Sequence, residues 1–240
     1  MEKIRINKYL AGLGIASRRE IDRWIDENQI KVNGKPAESG IKVDSSDIIE
    51  IRGKRVGTEE KSPSKVYYLL NKPKNVISAA KDDRGRKTVV DCIRTKERIF
   101  PIGRLDFETE GAIILTNDGE LFNRIIHPRT EVFKEYLVEM TGLISDKEIE
   151  RLEDGVVLED GITLPAHVNL LDRNRTKSRI KISIREGRNR QVRRMIEAVG
   201  HKVIGLKREK IGKITIEGLH LGDYRELTKK EIEYLYSLGK

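Results

Sequence analysis

The chain of 240 residues contains a single cysteine, Cys92. It therefore has no internal disulfide and no Cys-x-x-Cys metal clamp, and a reducing compartment suits it. With no basic or histidine neighbour in sequence to activate it, Cys92 reads as a small buried hydrophobe. Long apolar runs are also missing: no window approaches the roughly 18 residues that a membrane helix needs. The opening Met-Glu-Lys-Ile-Arg-Ile-Asn has no apolar stretch behind its basic residues, so export is not expected and a cytoplasmic location is. Metal signatures are absent as well, because His127, His167, His201 and His220 lie far apart with no His-x-Glu or Cys-x-x-Cys beside them. A zinc deaminase is excluded on that ground. Neither a phosphate-binding Gly-x-x-x-x-Gly-Lys-Ser/Thr loop nor a dinucleotide fingerprint occurs, so no cofactor is indicated. There is no internal repeat or low-complexity tract.

What the chain has in abundance is charge, 36% of residues against 37% hydrophobic, with a net +9 at neutral pH. The excess is local: residues 179–213 hold 12 Lys or Arg against three acids, Glu186, Glu197 and Glu209, and elsewhere the two signs cancel. A solvated helix surface normally mixes signs, so the bias points to a phosphate-bearing partner, with a merely soluble basic face as the alternative.

Residues 5–13 place Ile6, Leu10 and Leu13 at helical spacing and stop at Gly14. Ser17-Arg18-Arg19-Glu20 has the form of a capping box, followed by Ile21, Trp24 and Ile25 on one helical face. Ile30 and Val32 lead into the turn pair Asn33-Gly34, and Ile48, Ile49 and Ile51 mark a further strand. Arg18 and Arg19 fall in the first turn of a helix, where the dipole disfavours cations. A bound phosphate would compensate; pairing with Glu20, Asp22 or solvent is the alternative.

Residues 52–65 are polar and broken by Gly and Pro, with no periodicity, and read as a linker region. A new apolar strand runs over 66–70 and ends at Asn71-Lys72-Pro73. Beyond it, 112–115, 136–140 and 180–184 read as strands and 121–126 as a helix, with capping boxes at Ser145/Glu148 and Thr228/Glu231. Short strands and helices without regular long crossovers predict an α+β domain.

The polar segment Pro101-Ile-Gly-Arg-Leu-Asp106-Phe-Glu-Thr-Glu-Gly111 lies between apolar strands, a usual mount for reactive groups. On spacing alone Asp106, Glu108 and Glu110 read equally as solvated loop acids. Four motifs in order resolve this: Leu-Asn-Lys-Pro-Lys at 70–74, Gly-Arg-Leu-Asp at 103–106 with Thr-Glu-Gly at 109–111, Lys-Glu-Tyr at 134–136, and Glu-Gly-Arg-Asn-Arg-Gln-Val-Arg-Arg-Met at 186–195. Here the chain resembles the pseudouridine synthases, in particular the family containing the small-subunit enzyme RsuA and the large-subunit synthases B, E and F. The likeness spans almost the whole chain. Residues 1–60 resemble the α-L RNA-binding module first known from ribosomal protein S-four, through Ala-Ser-Arg-Arg at 16–19 and Val-Asn-Gly at 32–34.

The resemblance implies a small RNA-binding domain at 1–60, a linker at 61–65, and a catalytic domain at 66–240 with a mixed, mainly antiparallel sheet flanked by helices. It implies Asp106 as catalytic aspartate, Tyr136 as the wall of the uracil pocket, Arg193 as partner of the aspartate, and Arg104 as the arginine that replaces the flipped base. These types suit a reaction that breaks an N-glycosidic bond, turns the uracil and rejoins it through carbon: a carboxylate attacks or stabilises the sugar, and an aromatic stacks the base. Val192, Met195, Ile196 and Val199 form one apolar stripe on the helix after Gly187, with Arg193 on its flank and Arg190 and Arg194 turned away toward phosphate. Arg188 joins these as an expected RNA contact, along with Arg18 and Arg19. The expected partner is ribosomal RNA, bound by a monomer with no metal, cofactor or membrane. A non-catalytic ribosome-assembly factor and a general RNA chaperone are the competing readings.

Overall fold

The computed structural model describes residues 3–56, 64–127 and 130–239. Much of the expected linker, 57–63, lies outside the described residues. The chain forms two compact units, one made by residues up to Val66 with 96–98 and 117–119, the other by the remainder.

In the first unit, β1 (Ile4–Arg5) leads into helices α1 (Ile6–Gly12) and α2 (Arg18–Asp26). Strands β2 (Ile30–Val32), β3 (Lys35–Pro36), β4 (Lys42–Val43), β5 (Ile49–Ile51) and β6 (Lys54–Arg55) follow. The periodic residues close the core: Ile6, Leu10, Ile21 and Ile25 from the helices pack with Ile30, Val43 and Ile49 from the strands. Asn33 and Gly34 both take positive φ, 52° and 79°, the geometry that turns β2 tightly back onto β3. Two local expectations need correction. At α2 the box is only half made: Ser17 Oγ accepts from Glu20 N at 3.1 Å, but the Glu20 carboxylate lies 3.5 Å from Arg23 instead. Residues 54–55, read as linker, pair with β5, because a strand this short and charged carries no hydrophobic period.

The second unit is built on β7 (Tyr67–Lys72), β8 (Phe100–Ile102), β9 (Glu110–Thr116), β10 (Lys134–Thr141), β11 (Val157–Leu158), β12 (Gly161–Ile162), β13 (His167–Arg173), β14 (Lys177–Ile184), β15 (Val203–Ile211), β16 (Ile214–Thr215) and β17 (Tyr224–Glu226). Helices α3 (Gly119–Ile126), α4 (Asp146–Asp154), α5 (Gln191–Ala198) and α6 (Lys229–Ser237) accompany them. Nine strands form one mixed sheet, ordered β13-β14-β10-β15-β9-β7-β17, with β8 on β9 and β16 on β15. Every pairing in it is antiparallel except β9 with β15. This is the mixed, mainly antiparallel α+β architecture expected.

Alternation decides which face each strand buries. In β10, Tyr136, Val138 and Met140 are buried, and in β14 so are Ile180, Ile182 and Ile184; Tyr136 stands opposite Ile182 and Val138 opposite Ile180. Leu69, Ala112, Ile114, Ile211 and Leu227 share another buried cluster with Leu121 of α3 and Leu235 of α6. Complete capping boxes start α4 at Ser145 with Glu148 and α6 at Thr228 with Glu231.

The parallel step brings distant segments together. Gly111 faces Arg208 in register and has φ 113°, and a Cβ there would collide with the Arg208 backbone. Only glycine lets the two chains approach so closely.

Candidate active site

Asp106 sits in the turn before β9, which is held through its backbone rather than through the Asp106 side chain. Thr109 N donates to Asp106 O at 3.0 Å, and Asn75 N donates to Phe107 O at 2.8 Å. The buried Ser78 hydroxyl brackets Leu105, accepting from its N at 3.0 Å and donating to its O at 2.8 Å. Lys72 is fully buried and donates through Nζ to Pro73 O at 3.0 Å and Thr109 O at 2.9 Å. Burial pushes its pKa down to about 8, against the pull of the nearby Asp106 charge. The carboxylate is thus presented by a turn clamped to two neighbouring segments.

It faces a cavity of about 590 Å³ whose wall also includes Arg104, Lys134, Tyr136 and Arg208. Arg188 and Arg190 reach the same rim, and Leu164, Ile184 and Leu206 supply apolar surface. Tyr136 is 8% exposed and Arg208 4%. Arg208 holds Tyr136 from behind: Nη1 donates to the phenol oxygen at 3.4 Å, and the guanidinium lies 5.9 Å from the ring centroid. Its Nε donates to Ala112 O at 2.7 Å, and its buried Nη2 has no hydrogen-bond partner among the described residues. Lys134 donates to Val132 O at 3.2 Å and Arg185 O at 3.3 Å. Burial first, then the adjacent Arg208 charge, bring its pKa to about 8, with Glu186 opposing.

The cavity therefore gathers Asp106, Tyr136 and Arg104, as the motifs suggested, together with Lys134 and Arg208. Arg193 is placed differently. It is 7% exposed, and the expected ion pair with Asp106 is not formed: Nη2 donates to Thr109 Oγ1 at 3.4 Å, while Nε is buried without a partner among the described residues. The reason is its place on the packed side of α5, from which it meets the Asp106 turn at Thr109.

The expected RNA-binding arginines divide. Arg104 and Arg190 are exposed at the cavity; Arg190 caps α5 in the left-handed conformation. Arg18 and Arg19 are exposed at the start of α2, Arg18 reaching only Asn7 at 3.5 Å. Arg188 and Arg194 are engaged internally. Arg188 donates to Gly161 O at 2.9 Å and Ile162 O at 2.6 Å, and Arg194 forms a fork with Asp160 at 2.8 and 3.0 Å. Both brace the β11–β12 hairpin, because a carboxylate and free carbonyls lie within reach and satisfy guanidinium donors directly.

Ser78, Lys72, Lys134 and Arg208 thus join the site. Lys72 and Lys134 fall within the sequence motifs; Arg208 carried no local signal, since it is the pairing of β15 with β10 and with β9 that sets it opposite Tyr136 and Gly111.

A carboxylate on a clamped turn, an aromatic wall, and buried cations define a pocket that can take up a planar base and act on the sugar bearing it. The chain belongs to the RNA pseudouridylate synthase family, whose members isomerise uridine to pseudouridine: that family's model matches residues 66–198, and an S4 domain model matches 4–49. Over 98% of its length it is 48% identical to the ribosomal large subunit pseudouridine synthase B of Bacillus subtilis, covering 96% of that protein. It is 36% identical to the dual-specificity RNA pseudouridine synthase RluF of Escherichia coli, over 98% of this chain and 79% of the other. A crystal structure of a pseudouridylate synthase superposes with a TM-score of 0.70 at 31% identity, covering 97% of this chain and 99% of that one.

Proposed function

We propose that this isomerase converts a specific uridine of large-subunit ribosomal RNA to pseudouridine, acting as a cytoplasmic monomer, with Asp106 as the group on which cleavage and re-formation of the glycosidic bond depend. The observation that carries the reading is the Asp106 carboxylate and the Tyr136 ring on one cavity wall.

The target uridine leaves its stack and enters the cavity, where Tyr136 packs on the base. Arg104, exposed at the rim, fills the space the base leaves. Asp106 assists cleavage of the N-glycosidic bond, either by attacking the sugar carbon or by stabilising its positive charge. The freed uracil turns, C5 bonds to the sugar, and the C5 proton passes by way of the phenol oxygen of Tyr136 to water. Arg193 lends positive charge to the Asp106 turn through Thr109. Arg18, Arg19 and Arg190 bind phosphates, while Arg188 and Arg194 serve RNA through the hairpin they brace.

Unmodified large-subunit ribosomal RNA carrying tritium at uridine C5 tests this. Wild type is expected to release label, Asp106→Asn to release none while binding RNA as tightly. No release by wild type with binding intact would leave an assembly factor; equal release from unrelated RNAs would contradict specificity.

A further inference from the structure

Beside the cavity, the ends of β10, β13 and β14 leave an aromatic surface that the proposed isomerisation does not use. Phe133, just before β10, remains 36% exposed. His167, the exposed first residue of β13, places its ring 5.2 Å from that of Phe133, tilted by 32°. Arg185, just after β14, holds its guanidinium 5.4 Å from the same phenyl centroid. Glu131 fixes this arrangement by accepting from Arg185 Nη1 at 3.0 Å. The pairing register, with Lys134 opposite Ile184 and His167 opposite Ser183, keeps the three ends side by side. Arg185 and Lys134 also line the cavity, so the patch continues its wall.

We propose that Phe133, His167 and Arg185 form a shelf for a second nucleobase, the unpaired neighbour of the uridine that enters the cavity. The inference rests on the reading of that cavity as the uridine site. Extruding one base unstacks those beside it, and aromatic, imidazole and guanidinium planes recover stacking with any base. Arg185 belongs to the wall of the cavity that takes the uridine, so the base next to that uridine in the strand is the occupant within reach, which favours RNA over a protein surface.

Equilibrium binding of the unmodified large-subunit ribosomal RNA transcript to full-length variants tests the shelf. Phe133→Leu and Phe133→Ala are expected to weaken binding about tenfold, in line with the loss of one base–aromatic stack, whereas Phe133→Trp keeps it within about twofold. Leucine preserves apolar packing, so wild-type affinity in Phe133→Leu overturns the proposal. Equal weakening in Phe133→Trp and Phe133→Ala overturns it too, since that pattern belongs to a packing role; circular dichroism melts confirm that each variant folds. The readout is affinity, so it remains decisive even if wild type releases no tritium, a failure that would fall on the isomerase reading alone.

Discussion

Lys72 and Lys134 are ammonium groups that burial has made unusually easy to discharge, each with a pKa of about 8. At neutral pH both are protonated and add positive charge around the cavity. As pH rises through about 8 they neutralise, whereas exposed lysines keep their charge to near 10.5. Activity on RNA is therefore expected to fall on an alkaline limb near pH 8. Folding stability should move the other way. Between about 8 and the ordinary lysine value the unfolded chain binds more protons than the folded one, so the contribution of these lysines to stability rises with pH. A profile of kcat/KM flat to about pH 10, or a melting temperature falling in parallel with activity, would contradict this assignment. Sequence could not reveal these shifts. The Lys-Pro and Lys-Glu-Tyr motifs show which residues are present, while the shifts come from desolvation that only packing creates.

At the level of elements, legibility followed hydrophobic period. The alternation of β14 and the helical spacing of α1 and α5 were open to reading because one face of each is buried. Strand β13, His-Val-Asn-Leu-Leu-Asp-Arg, is an edge strand with no fully buried residue, and β15 interleaves its core residues with Lys207, Arg208, Glu209 and Lys210. Neither has a clean period, so the partner of Tyr136 that β15 carries stayed hidden. The Arg193 interaction was missed for a related reason: helical spacing fixes a face but not which residue of a facing turn it meets. Gly111 is the hinge of the whole arrangement, since the β9–β15 approach depends on its lack of a Cβ. Gly111→Ala is expected to destabilise the fold by about 1–3 kcal/mol in denaturant titration. Its loss of kcat should exceed what the unfolded fraction explains, because Arg208 would separate from the Asp106 turn. As a contrast, Thr228→Ala removes only the α6 cap, costing about 1 kcal/mol while kcat at saturating RNA stays unchanged. Equal effects of the two variants on kcat would refute the hinge.

For the whole molecule, the division into two units implies a division of labour that is measurable. The cavity and the surplus of basic residues at 179–213 belong to the second unit, yet Arg18 and Arg19 stand exposed on the first, in the opening turn of α2. Neither makes an ion pair among the described residues; Arg18 has only the long hydrogen bond to Asn7, and the helix carboxylate Glu20 is directed to Arg23. Two guanidinium groups with no ion pair among the described residues, in the opening turn of a helix, suit a phosphate. If they bind it, the double variant Arg18→Ala/Arg19→Ala neutralises up to two fewer phosphates, and the slope of log affinity against log salt should flatten by roughly 0.7–0.9 for each phosphate left with its counterions. KM for RNA should rise while kcat at saturation stays near wild type, because the chemistry resides in the other unit. An unchanged salt slope would rule out phosphate binding by these arginines, and a fall in kcat with KM unchanged would place their effect on the reaction step itself.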